Sequence, residues 1–279
     1  MDSFHDVKNI DDLEKALRKR PTDPECLIIY HCLDQWLDLY KAVNPSPFSI
    51  VNTLGEAWWI NNAWGACMKL ANGLPQAFIL PGEKTGHDSA ERKNKDVASV
   101  DRRRIGCKAD LIWRTISAPE RDWAVAEAAP DWDPIGKKYR YEGTFKLPRQ
   151  LHDIISARSH EVGEKVRLRG EFVSGLIIGG PVVQRVLLCW GSKGDTVTRL
   201  FRSKERRISS SIAQLMESIW AIHELLLFRA STIRFHQSFE SANNQVAEEK
   251  RQARRKEGRS SSVSRIRKEM QFNLLHSSP

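Results

Sequence analysis

Lys108-Ala109-Asp110-Leu111-Ile112-Trp113-Arg114 and Asp122-Trp123-Ala124-Val125-Ala126-Glu127-Ala128-Ala129 are the two stretches whose reading decides the fold. Each is a short apolar run, and each reads as a β-strand, over 109–114 and 122–128. Each also carries an acid that stands out by its place: Asp110 at the start of the first, and Glu127 near the end of the second, beyond the Asp122 that opens it. A charge inside a short apolar strand is costly unless it is paired or metal-bound. If the two strands are neighbours, both carboxylates project toward one point. Hard oxygen ligands of that kind suit Mg²⁺.

Outward from this pair, the chain alternates helices and strands. Upstream, helical spacing covers 9–20 and 24–43, and Asn44-Pro45-Ser46-Pro47 breaks the chain. Residues 1–45 therefore read as an N-terminal helical extension. A third helix is expected over 50–71 and a short strand over 76–80, followed by a long polar loop over 83–108 that contains Arg102-Arg103-Arg104. Downstream, 147–160 reads as a helix with Pro148 in its first turn. Strands are expected at 172–178 and 182–190, a hairpin turn at 191–195, and a strand at 196–201. A long helix over 208–235 presents Ile212, Leu215, Met216, Ile219, Trp220, Ile222 and Leu226 inward. Residues 46–240 form the core in this reading. The tail, 241–279, is rich in Lys, Arg and Ser, and is expected to be disordered or helical. Helices alternating with strands in this order imply an α/β fold, a mixed sheet with helices on its faces.

Composition narrows the function. With 279 residues, 41% hydrophobic content and nine tryptophans, the chain can bury a real core. Its net charge of +9 suits an acidic partner such as nucleic acid, and equally serves solubility alone. The five cysteines are scattered without a C-x-x-C pair, which argues for a reducing, intracellular compartment and against both a disulfide framework and a zinc site. Residues 1–18 lack an apolar signal core, and no stretch is long and apolar enough to predict a membrane partner. His152 and His160 are too far apart and too isolated to bind zinc, and no serine sits in a nucleophile elbow.

The order helix with Glu56, strand, strand starting with Asp110, strand carrying Glu127, then helix and strand resembles the PD-(D/E)XK nuclease superfamily, over roughly residues 50–200. The two strand sequences also resemble uncharacterised fungal proteins with a degenerate nuclease core, many of them linked to mobile elements or effectors. The resemblance implies a restriction-endonuclease-like fold and metal-dependent cleavage of DNA. It implies that Asp110, Glu127 and the Ala128 carbonyl hold Mg²⁺, and that Glu56 binds the metal through water or holds a second ion. The superfamily's lysine, two residues after the Glu, is Ala129 here. Alanine cannot polarise water. Lys108 and Arg114 share the face of Asp110, and Lys146 lies near the next helix start; Lys108 ranks first by register.

Structural alternatives stand beside each of these roles. Thr53-Leu54-Gly55-Glu56 fits a capping box. Asp110 can pair with Lys108 or Arg114 along a strand edge. Three functional readings follow: an active Mg²⁺-dependent nuclease with an altered site; an inactive nuclease-fold module that binds nucleic acid or protein; and a nuclear effector or mobile-element derivative. In the second, Arg102, Arg103 and Arg104 and the tail residues Arg254, Arg255 and Lys256 contact phosphates. In the third, the basic tail is a nuclear import signal.

Overall fold

The structure, a computed structural model, describes residues 7–42, 46–98, 101–163, 168–191 and 197–275, with side chains as far as residue 255. The two deciding stretches form strands β2 (Lys108–Thr115) and β3 (Arg121–Ala129), paired antiparallel from Thr115–Arg121 to Leu111–Ala126. β1 (Ala77–Thr85) lies antiparallel on the far side of β2. β4 (Val173–Gly179) runs parallel to β3, and β5 (Val182–Trp190) antiparallel to β4. β6 (Thr198–Arg202) and the short β7 (Arg206–Arg207) both pair with β5. The result is a mixed sheet of seven strands in the order β1-β2-β3-β4-β5-β6, with β7 beside β5. A parallel pair needs a crossover. Helix α6 (Leu147–Glu161) supplies it between β3 and β4.

Helices cover both faces, which explains why β3 and β4 read as continuous apolar runs instead of alternating ones. Trp113 of β2 meets Phe228 on one face, and Ser174 of β4 lies 2.5 Å from Ser231 there. Gly175 and Ile177 look to the opposite face. A Cβ on Gly175 would stand 2.8 Å from Leu147 Cδ1, so glycine is what lets the crossover helix settle on the sheet.

The remaining helices are α1 (Ile10–Leu17), α2 (Pro24–Lys41), α3 (Glu56–Asn62), α4 (His87–Asn94), α5 (Lys137–Tyr139) and α7 (Leu215–Leu275). Asn9 and Asp23 cap α1 and α2 by accepting from Asp12 N and Cys26 N. These two helices join the same apolar core as the sheet, through Leu13, Leu17, Ile28, Leu33 and Trp36. Trp36 Nε1 donates to Ala63 O at 2.8 Å, and Tyr40 Oη lies 3.2 Å from Ser218 on α7.

Several sequence expectations need correction. The helix expected over 50–71 is broken into 3₁₀ turns at Val51–Thr53 and Gly65–Lys69 around the short α3. The polar stretch 83–108 is not one loop: β1 runs on to Thr85 across a bulge, and α4 follows. The inward stripe of α7 is Leu215, Ile222, Leu225, Phe228, Phe235 and Phe239. At about 100° per residue, Met216 and Trp220 fall on its outer side, and they are exposed. There Arg206 lies 4.9 Å over the Trp220 ring. The tail continues α7 as helix to Leu275, and among the residues whose side chains are described, packing along α7 extends through Phe239 and Ala242 to the half-buried Val246. The turn expected at 191–195 falls largely at 192–196, outside the described residues, as does Asn44-Pro45.

Candidate active site

Pairing of β2 with β3 ends at Leu111–Ala126. Cross-strand partners share a face, so the next residues out, Asp110 and Glu127, share the opposite one, on the α6 side. Asp110 Oδ2 accepts the Ala128 N–H at 2.7 Å, where the parting strands leave that donor available. Glu127 is fully buried. Its Oε2 accepts from Lys146 Nζ at 2.5 Å, while its Oε1 has no partner among the described residues.

Lys146 reaches Glu127 from a helical wall above the sheet. α5 leads into a π-helical turn, Arg140–Lys146, which leads into α6. π-helical turns within α-helices are frequent at functional sites. Lys138, Glu142 and Lys146 recur every fourth residue on the flank of this wall that faces the acids; Lys138 is nearly half exposed, the other two largely covered. Gly143 lets this wall sit low: a Cβ there would stand 2.8 Å from Ile177 Cδ1. Arg202 of β6 fastens it, donating from Nη2 to Gly143 O at 2.6 Å. Lys138 Nζ donates to Glu56, the first residue of α3, and lies 4.0 Å from Glu142.

The centre thus holds four carboxylates, Glu56, Asp110, Glu127 and Glu142, against two ammonium groups, Lys138 and Lys146. Its electrostatics reflect that excess. Burial pushes Glu127 up to about 8; the bond to Lys146 opposes this, and the fields of Asp110 and Glu142 add to it. Burial likewise lifts Glu142 to about 7, against the pull of Lys138 and Lys146. Asp110 is raised by burial, with Glu56 adding and the Ala128 N–H opposing. Burial works against the charge of Lys146, but its contact with Glu127 outweighs that and holds it protonated above the ordinary lysine value.

The structure sorts the sequence candidates. Asp110, Glu127 and Glu56 belong to this one electrostatic cluster. Lys108 does not: its ammonium turns to Glu83 at 3.2 Å on the β1 bulge and is largely exposed. Lys146, the third-ranked cation, is the one bonded to Glu127. Arg114 is taken by Asp122 at 2.6 Å. Neither therefore pairs with Asp110. The capping box is also corrected. Gly55 is the N-cap of α3, Thr53 Oγ1 donates to Ile50 O, and the Glu56 carboxylate faces Lys138 instead. Ala129 is buried against β4, pairing with Gly179. Arg102, Arg103 and Arg104 are exposed on the segment after α4, where Asn94 is bonded to Arg104 N and O. Arg254 and Arg255 are exposed on α7, and the Lys256 side chain lies outside the described residues.

Glu142 and Lys138 were not legible as site residues. A helical reading of 137–146 would have placed both beside Lys146 at fourfold spacing, but the stretch has no continuous apolar stripe to announce a helix. A separate group, His87, Asp88 and Glu91, brings its ligand atoms within 4.8 Å of one another at the start of α4. Asp88 there is buried and bonded to the buried Arg158. A fixed guanidinium in that position makes the group an ion pair docking α4 onto α6. Among the described residues, no helix is long and apolar enough to cross a membrane.

Comparison with known proteins gives no match: no family model, no curated protein and no solved structure corresponds to this chain.

Proposed function

We propose that the chain is a PD-(D/E)XK-like module whose acid–lysine centre supports metal-dependent hydrolysis of DNA phosphodiesters, with the motif lysine delivered from the helical wall in place of the strand. The observation that carries this reading is the Lys146–Glu127 contact beside Asp110. It supplies the cation missing at Ala129. The sheet order, with β2 antiparallel and β4 parallel to β3, also supports the superfamily resemblance.

The donor types suit a Mg²⁺ ion, although these carboxylates are not drawn together as closely as the His87–Asp88–Glu91 group. They offer hard oxygen donors, one of them the orphaned, buried Glu127 Oε1. Asp110 and Glu127 would hold it, with Glu56 at the margin. Ala128, expected to add its carbonyl, is tied to Asp110 by its N–H, a bond that leaves the carbonyl oxygen itself unengaged by Asp110. When bound, such an ion supplies positive charge that acidifies water and offsets charge building on the phosphoryl oxygens. Lys146 remains a cation, so its part is to orient water and the scissile phosphate, not to accept a proton. Glu142, raised to about 7, is matched to accept the proton from the attacking water near neutral pH. The net charge of +9 suits a polyanionic substrate such as DNA.

Asp110→Ala is expected to abolish Mg²⁺-dependent cleavage of a plasmid while circular dichroism stays unchanged; full activity in that variant would falsify the mechanism. Glu142→Gln is expected to lower cleavage about ten- to a hundredfold and to remove the acidic limb of the pH–rate profile near 7. A variant whose profile keeps that limb would make Glu142 a structural residue.

A second reading rests on the same contacts. The lysines already neutralise Glu127 and Glu56, which suits a module that binds nucleic acid without cutting it. DNA binding with no cleavage under any divalent cation would select that reading.

A further inference from the structure

We propose that the outer side of the helical wall is a stacking platform for a single DNA strand, which it feeds to the acid–lysine centre; this rests on the nucleic-acid reading above. The inward stripe of the wall is Lys138, Glu142 and Lys146. One residue back in phase, Lys137, Tyr141, Phe145 and Arg149 form a second stripe, again every fourth residue. Tyr141 is 64% exposed and Phe145 67% exposed. Neither ring packs on another aromatic group among the described residues. Exposed apolar side chains scattered singly are ordinary, whereas adjoining ones mark interaction surfaces; these two stand four residues apart, next in sequence to Glu142 and Lys146.

The flanking charges decide what the rings are for. Lys137 and Arg149 bracket them and Arg140 lies between, all exposed and none with an acidic partner among the described residues. Cations alternating with exposed rings match a polyanion that also offers flat faces, namely a strand with unpaired bases. Duplex DNA keeps its bases stacked inside and offers only phosphates, so the rings would contribute little to it. The platform is also firmly mounted: Arg202 ties the π turn to β6, and Gly143 seats it on β4. An exposed ring on a fixed helix costs little ordering entropy when a base stacks on it.

The test uses the full chain in EDTA, so that binding is read without cleavage. Fluorescence anisotropy with a labelled oligo-dT strand and a duplex of equal length compares wild type with the Tyr141→Ala/Phe145→Ala double variant. Stacking is worth about 1–3 kcal/mol per base, so each ring lost should weaken single-strand binding by about five- to 160-fold. Duplex affinity should stay within about twofold. Lys137→Ala/Arg149→Ala should lower the salt dependence of single-strand binding by about one to two contacts. Unchanged single-strand affinity in the double-ring variant, or a wild type that prefers duplex, overturns the platform. The nuclease reading fails separately, if Asp110→Ala retains metal-dependent cleavage.

Discussion

Lys146→Ala is expected to reduce Mg²⁺-dependent DNA cleavage by about a hundredfold or more, whereas Lys108→Ala leaves it within about twofold. The contrast comes from where each ammonium sits. Lys146 is 2.5 Å from Glu127 Oε2 and about four-fifths buried, so its charge acts in a weakly screened site. Lys108 pairs with Glu83 in water, where an ion pair is worth little. Lys146→Ala also leaves Glu127 buried without its partner. Arg at 146 keeps the charge and should restore part of the rate, which a purely structural role would not require. Equal loss in the Lys108 variant would return the motif lysine to strand β2.

Glu127→Gln is expected to eliminate cleavage and yet to stabilise the fold above pH 8. Glu127 has an ordinary value of 4.5 when unfolded and about 8 when folded. Between those values the folded state carries a proton that the unfolded state has lost, so stability falls as pH rises across that window. Below pH 4.5 the contribution is fully present; above about 8 it is gone. Glu142, raised to about 7, adds a loss of the same sign. Removing the Glu127 titration should therefore flatten the pH dependence of the melting temperature, by roughly a few kcal/mol at its upper end. Mg²⁺ should raise the wild-type melting temperature more at pH 8.5 than at pH 6, because protons and the ion compete for the same oxygens. A variant that melts lower than wild type at pH 9 would contradict this account of the centre.

Both deciding strands were legible because each has an apolar run with an acid set against it, Asp110 in β2 and Glu127 in β3. Their meeting follows from register alone, since Leu111–Ala126 fixes the faces of Asp110 and Glu127. The parts that were not legible share a physical cause. α4 buries Asp88 and Ser89 instead of an apolar stripe, and is held by the Asp88–Arg158 and Arg92–Asp153 ion pairs, so hydrophobic periodicity had nothing to report. Lys146 follows Glu127 by a polar stretch and a π turn, and no pattern of α or β period predicts a π turn. Lys108 looked nearer because strand register is simple to count, but the bulge in β1 places Glu83 beside it and draws the side chain away. Met216 and Trp220 were misassigned because a run rich in large apolar residues permits more than one stripe.

The π turn carries one more implication. A π turn holds one residue more than the α-helical winding around it. Loss of one residue within 140–146 would let the segment rewind as ordinary helix, and Lys138 and Lys146, then seven apart, would stand within about 20° of one face. A deletion inside regular α6, between Lys146 and Leu151, has no such slack: it would turn the wall by about 100° against the sheet and take Lys146 away from Glu127. On this scaffold, where a missing codon falls decides whether the chemistry survives.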